Sequence, residues 1–303
     1  MHNLKTNFDK IISITKLALA DFLLEDGNFF IYKNQPKMSD IEIVALSLTA
    51  ESLGIDSENL LFSKLRNECL IDFPRLPDRS NYNRRKRRLQ DYVAFVAEPL
   101  AKIISPDNNQ FIIDSIPVPI CQNPRIIRSK ICRDDPEVLP KRGYHASHKL
   151  HYYGFKMQLV ISKIGVPISL GLTAANSHDV HYLNHIDASK MADSELIADK
   201  GYLSLGHQTS LFENDRIRLI TPLRTNMKRR ETLWNPNYRY IRKRIETLFS
   251  QLCDQLYLKR NYAKTLDGLF ARMCAKISSV AVLQYINFIN DKPLNHLKHA
   301  LSN

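Results

Sequence analysis

Between Phe155 and Leu172 the chain alternates apolar and polar residues in two runs joined by a glycine, and this pattern restricts the fold more than any other stretch. Phe155, Met157, Leu159 and Ile161 alternate with Lys156, Gln158 and Ser162, Gly165 turns the chain, and Ile168, Leu170 and Leu172 alternate back. Period-two alternation predicts a β-hairpin with one buried face. An isolated hairpin is only marginally stable in water, so further strands or helices must cover that face. The sequence supplies three more runs of strand length. Phe111-Ile112-Ile113 stops at Asp114, with Pro117 and Pro119 beyond it; Glu195 to Asp199 contains Leu-Ile-Ala; Arg218 to Thr221 is ended by Pro222.

Helical periodicity occupies the remainder. Residues 1–105 read as helices and loops: Ser39 with Glu42 forms a capping box ahead of Ile41, Val44, Ala45 and Leu48, and a second helix runs from Ser57 through Leu65. After the Pro74–Pro77 loop, residues 81–88 (NYNRRKRR) head a helix expected to continue through Leu89, Val93 and Val96 towards Pro99. Further helices are expected over 180–192, 238–257 and 265–288, and the basic segment 120–150 reads as rich in turns. The prediction is an α/β fold: a mixed five-stranded sheet flanked by helices over 106–260, preceded by an all-helical region over 1–105. A C-terminal helix within 261–303 is expected to pack on the sheet domain.

Composition excludes several classes. The nine glycines never fall in a GxGxxG pattern, and the sequence after Gly206 lacks the Lys-Ser/Thr of a phosphate loop, so nucleotide cofactors are not expected. Five cysteines without a CxxC pair argue against a disulfide framework or a zinc ribbon. The N-terminus lacks a signal-peptide pattern, and the apolar run 277–289 is broken by Ser278, Ser279, Gln284 and Asn287, so a cytoplasmic protein is expected. Lys plus Arg outnumber Asp plus Glu by 43 to 31, a formal charge of +12 that suits an acidic partner.

The acids that interrupt apolar strands carry the chemistry. Asp114 shares a strand face with Ile112 and Ile116, and Asp199 is followed by Lys200-Gly201-Tyr202, where glycine permits a sharp turn. A buried carboxylate needs a partner, either an arginine or a helix N-terminus, or a divalent cation when two acids lie on neighbouring strands. Glu246 lies at the edge of the Ile241, Ile245, Leu248, Leu252, Leu256 stripe, on one flank with Arg239, Arg242 and Lys243. Spacing alone leaves surface salt bridging and a catalytic role equally open for it.

Four stretches decide between these readings. Residues 112–121 (IIDSIPVPIC), 152–180 (YYGFKMQLVISKIGVPISLGLTAANSHDV), 196–204 (LIADKGYLS) and 239–249 (RYIRKRIETLF) resemble the catalytic domain of bacterial insertion-sequence transposases of the DDE class. Residues 73–85 (FPRLPDRSNYNRR) are similar to the N-terminal region of insertion-sequence family nine-eight-two, so the likeness spans about residues 70–275. The resemblance implies a ribonuclease-H-like fold with Asp114, Asp199 and Glu246 as the three acids. It also implies two Mg²⁺ or Mn²⁺ ions per site, DNA as substrate, and a homodimer or larger assembly on that DNA. Asp179, in NSHDV, competes for the second position, and Asp199 is preferred because it ends a strand. Around the third acid the wider signature Y-x2-R-x3-E-x6-K is incomplete: Arg239 stands at the tyrosine position and Cys253 at the lysine position. The expected reaction is phosphodiester cleavage followed by joining of the 3′-hydroxyl to target DNA. The alternatives are a silent DNA-binding regulator and a nuclease without strand transfer.

Bases interleaved with aromatics mark the expected DNA contacts: Arg84, Arg85, Lys86, Arg87 and Arg88; Arg125, Arg128, Lys141, Arg142 and Lys149; Lys200; and Arg239, Arg242 and Lys243, with a further cluster over 224–230. His145, His148 and His151 recur every three residues, which suits a polar or DNA-facing loop better than zinc.

Overall fold

The computed structural model describes residues 3–146, 149–224, 227, 234–260 and 262–301. The chain divides into two compact units, one formed by Met1–Ile104, Leu252–Tyr262 and Asp267–Asn303, the other by Ser105–Gln251 and Ala263–Leu266.

The first unit holds α1 (Leu4–Ala18), α2 (Asp40–Ser52), α3 (Glu58–Glu68), α4 (Arg79–Arg88), α5 (Gln90–Phe95) and α6 (Ala97–Ile104). The capping box at Ser39 and Glu42 forms as expected, and Ser57 caps α3. One long helix was expected over 81–99, but it is interrupted at Leu89, which leaves helical geometry, and again at Val96, to give α4, α5 and α6. Leu89 and Val96 are both fully buried, so each junction between these helices faces the core. Asp78 caps α4, so Arg85, Lys86, Arg87 and Arg88 fall in its last turn, where cations complement the helix dipole.

The second unit is built on a six-stranded sheet: β1 (Gln110–Cys121), β2 (Lys141–His145), β3 (Leu150–Ser162), β4 (Pro167–Ala174), β5 (Glu195–Ile197) and β6 (Arg218–Ile220). The strand order is β2-β3-β1-β5-β6, with β4 also paired to β3. β3 runs antiparallel to β1, β2 and β4, whereas β5 is parallel to both β1 and β6. This mixed sheet, flanked by α7 (Leu205–Asp215) and α8 (Asn237–Asp254), is the ribonuclease-H-like arrangement. The sixth strand, β2, comes from the segment read as turns; it pairs with the start of β3, Tyr144 opposite His151.

Three local differences have simple causes. β1 runs through Pro117 and Pro119, which lie two apart so that both missing donors fall on one edge; β5 pairs with β1 only over Gln110–Ile112 and leaves that edge free beyond. β3 is buried on both faces rather than one, because Val160 joins a cluster with Phe111, Ile113, Tyr182, Leu196, Tyr202 and Leu219 that covers its second face. The helix expected over 180–192 is instead two short 3₁₀ turns, Asp179–Asn184 and Ala188–Met191.

The C-terminal helix α9 (Leu266–Ile289) belongs to the helical unit from Asp267 onward. Ser278 donates to the carbonyl of Val93 at 2.6 Å and Ser279 to that of Leu48 at 3.2 Å. The polar residues that broke the apolar run are therefore buried and hydrogen-bonded within that unit. Among the described residues no helix is long and apolar enough to cross a membrane.

Candidate active site

Asp114 and Asp199 stand at matching places on neighbouring parallel strands. The last rung between β1 and β5 pairs Ile112 with Ile197, and each aspartate lies two residues beyond it, Asp199 just past the end of β5 and Asp114 in the part of β1 that runs on past its ladder to β5. Crevices outside strand carboxyl ends are where open α/β sheets bind ligands.

Asp114 Oδ2 accepts from Arg242 Nη2 on α8 at 2.8 Å, and its Oδ1 accepts from the Ser115 amide at 2.8 Å. Both side chains of the pair are 18% exposed. Burial pushes the Asp114 carboxyl up to about 6; Arg242 works against the rise, and the charge of Asp199 adds to it. Asp199 caps the 3₁₀ turn Lys200–Tyr202, its Oδ1 accepting from the Gly201 amide at 2.6 Å.

Glu246 lies on α8 one turn beyond Arg242 and is exposed. Ile245 and Leu248 are buried, so the apolar stripe of α8 faces inward as its spacing predicts. The carboxylates of Asp114 and Asp199 are hard donors that repel one another, a chemistry that fits a divalent cation. Among the described residues no group of three or more His, Cys, Asp or Glu is gathered closely enough to hold a metal, so Glu246 is not brought against the two aspartates.

Asp179 opens the 3₁₀ turn Asp179–Asn184 and pairs with Lys156 Nζ at 3.0 Å. That turn docks because Gly171 has no side chain: a methyl group there would lie 2.2 Å from the Tyr182 ring. Gly171→Ala is therefore expected to displace Tyr182 and destabilise the protein by about 1 to 3 kcal/mol, read as a lowered urea midpoint. Lys156 and Gln158, the polar side of the hairpin pattern, were read as solvent-facing, yet Gln158 is fully buried. The glycine inside β4 was the available sign of a close approach over that face.

The predicted DNA contacts separate into two groups. Arg84 and Arg87 are exposed. Arg85 is buried, bonded to Asp40 at 2.6 Å, and Asp40 also accepts from the Tyr32 hydroxyl at 2.9 Å. Lys86 lies 3.5 Å from Glu58, and the Arg88 guanidinium stacks 4.0 Å from the Phe30 ring centroid. In the sheet unit Arg125, Arg128, Lys141, Arg142, Lys149, Lys200, Arg239 and Lys243 are exposed, while Arg242 is half-buried on Asp114. The Tyr144 and His151 rings sit 4.9 Å apart across β2 and β3. His148 and residues 228–230 of the fourth basic cluster lie outside the described residues.

A ribonuclease-H-like sheet with an aspartate just beyond the shared ladder on each of two adjacent parallel strands defines a class of proteins that act on phosphodiesters of nucleic acids. The family described as Transposase DDE domain matches residues 106–264, just over half of the chain, and the chain belongs to that family. DNA is accordingly its partner. Comparison with curated proteins and with solved structures finds no match.

Proposed function

We propose that the chain is an insertion-sequence transposase similar to bacterial family nine-eight-two. It binds the terminal inverted repeats of its element, hydrolyses a phosphodiester bond at each end and joins the freed 3′-hydroxyl to target DNA. The observation that supports this most is the placement of Asp114 and Asp199 two residues beyond one rung of neighbouring parallel strands. Asp114, Asp199 and Glu246 would hold two Mg²⁺ or Mn²⁺ ions, which supply Lewis-acid stabilisation of charge on the phosphoryl oxygens. Arg242 has a second task beside its bond to Asp114. Its Nε is buried and has no partner among the described residues, a donor suited to a phosphate oxygen of the strand being cut.

Phosphate contacts along the duplex fall to the exposed bases Arg84 and Arg87 in the helical unit and to Arg125, Arg128, Lys141, Arg142, Lys149, Lys200, Arg239 and Lys243 in the sheet unit. Arg85 serves the fold through Asp40 instead. Handling two element ends together calls for a homodimer or larger assembly on DNA. Binding is expected to weaken by about 1000-fold or more between roughly 50 and 200 mM salt, as for a protein neutralising six or more phosphates. A dissociation constant that stays flat across that range in fluorescence anisotropy would remove this phosphate-tracking surface.

The decisive assay incubates the protein with Mg²⁺ and a duplex carrying the terminal repeats of its own element. Nicked ends together with joined products are the expected result. Hydrolysis without joining would make the protein a nuclease, and tight binding with neither product would make it a silent regulator.

A further inference from the structure

We propose that Asp179 is a positioning residue that aims Asp199 through a chain of hydrogen bonds running from half-buried Lys156 and Asp179 to buried Gln158 and Tyr202, an inference that rests on the reading of Asp199 as an acid of the site. One oxygen of Asp179, Oδ1, accepts from Lys156 Nζ at 3.0 Å and from Gln158 Nε2 at 3.1 Å. Lys156 is itself held by the carbonyl of Ser177 at 2.8 Å. The other oxygen, Oδ2, faces the turn that follows Asp199. A methyl group added at Gly201 would meet Asp199 Oδ1 at 2.8 Å and Asp179 Oδ2 at 3.3 Å, so both carboxylates lie against the same glycine.

Gln158 carries the connection onward. Its amide nitrogen reaches Asp179 and, at 3.2 Å, Thr173 Oγ1, while its oxygen accepts from the Tyr202 hydroxyl at 2.6 Å. The amide can sit only one way round: a carboxylate accepts and does not donate, so the nitrogen must face Asp179. Tyr202 is fully buried, and burial, then the charges of Asp179, Asp114 and Asp199, hold its phenol far above its ordinary pKa. It therefore remains a donor, and the Gln158 oxygen always has its partner. Tyr202 closes the turn that Asp199 opens, its amide donating to the Asp199 carbonyl at 3.3 Å, and the Gly201 amide fixes Asp199 Oδ1.

The order Lys156, Asp179, Gln158, Tyr202 thus runs from β3 to the turn that sets the Asp199 carboxylate. Asp179 is suited to orientation rather than to reaction. The ammonium of Lys156 neutralises it, and Oδ1 is already engaged by two donors. Outer partners of this kind commonly change the affinity of a metal site about 10- to 100-fold when removed.

The test uses the full chain, free of DNA, with Mn²⁺ alone as the probe, followed by electron paramagnetic resonance; unfolding midpoints establish that each variant is folded. Tyr202→Phe keeps the buried ring and removes only the hydroxyl, and Asp179→Asn keeps the shape and removes the charge. Each is expected to weaken Mn²⁺ binding about 10- to 100-fold. In cleavage assays each should lower kcat while leaving KM for DNA unchanged, whereas Asp199→Asn loses Mn²⁺ binding. Wild-type Mn²⁺ affinity in folded Tyr202→Phe and Asp179→Asn, with loss in Asp199→Asn, would overturn the positioning role alone. Undiminished binding by Asp199→Asn, or none by the parent protein, would overturn the reading of Asp199 itself and the inference with it.

Discussion

Asp114→Asn is expected to reduce strand cleavage to background and, at neutral pH, to make the protein more stable than its parent. Both effects come from one carboxylate. For cleavage, the amide keeps the size of the side chain but has one oxygen and no charge, so it does not replace a hard anionic donor. For stability, the folded-state pKa of about 6 stands above the ordinary value of 3.8, so between them the folded protein holds the proton more tightly than the unfolded chain. The stabilising contribution is present at low pH and is lost as pH rises through about 6, where Asp114 becomes charged against burial and against Asp199. Removing that charge should restore about 1 to 3 kcal/mol near pH 7.5, the lower end applying because the substituted carboxamide satisfies the Ser115 amide and Arg242 less fully than the carboxylate does. Urea midpoints of parent and variant should separate near pH 7.5 and converge near about pH 4. An Asp114→Asn protein that cleaves at the parental rate takes Asp114 out of the site. One that is inactive but no more stable at pH 7.5 denies that the carboxylate is held under strain for its work.

How far the sequence reveals this site depends on whether a residue's partners are near it in the chain. Asp114 and Asp199 stand out as candidates because each ends an apolar run, and such runs can be read from a window of a few residues. The hairpin β3–β4 and the caps of α2 and α3 were visible for the same reason. Lys156 and Gln158 looked like a solvent face because alternation records polarity, not what covers it; the 3₁₀ turn from Asp179 to Asn184 and Tyr202 cover that face from elsewhere in the chain. Arg85 failed for a related reason. In a block of five bases nothing local distinguishes the one that turns inward, and its partner Asp40 is 45 residues away. Strand β2 was missed because a five-residue edge strand, KRGYH, carries no apolar alternation and exists only through its ladder to β3.

Lys276→Met is expected to cost about 3 to 5 kcal/mol of the stability of the helical unit. Lys276, on α9, is 2% exposed, and its ammonium bonds both to Glu51 at the end of α2 and to the carbonyl of Leu256. Burial would push the Glu51 carboxyl up, but Lys276, then Arg272 and Lys86, outweigh it and hold the carboxyl below its ordinary value. The contribution of Glu51 is therefore present above the unfolded pKa and is lost as pH falls through the folded one. Methionine fills the space of the lysine stem but leaves Glu51 charged and buried without its nearest cation, and leaves the Leu256 carbonyl without a donor. The double change Glu51→Leu/Lys276→Met removes both charges, and apolar replacement of a buried pair is often neutral or better, so it should recover most of the loss. Urea unfolding of the four proteins forms a thermodynamic cycle in which the coupling between the two positions should exceed about 2 kcal/mol. If Lys276→Met costs less than about 1 kcal/mol, or the double variant is as unstable as the sum of the two single ones, the pair does not hold α9 against α2, and the serines of α9 bonded to Val93 and Leu48 must carry that role.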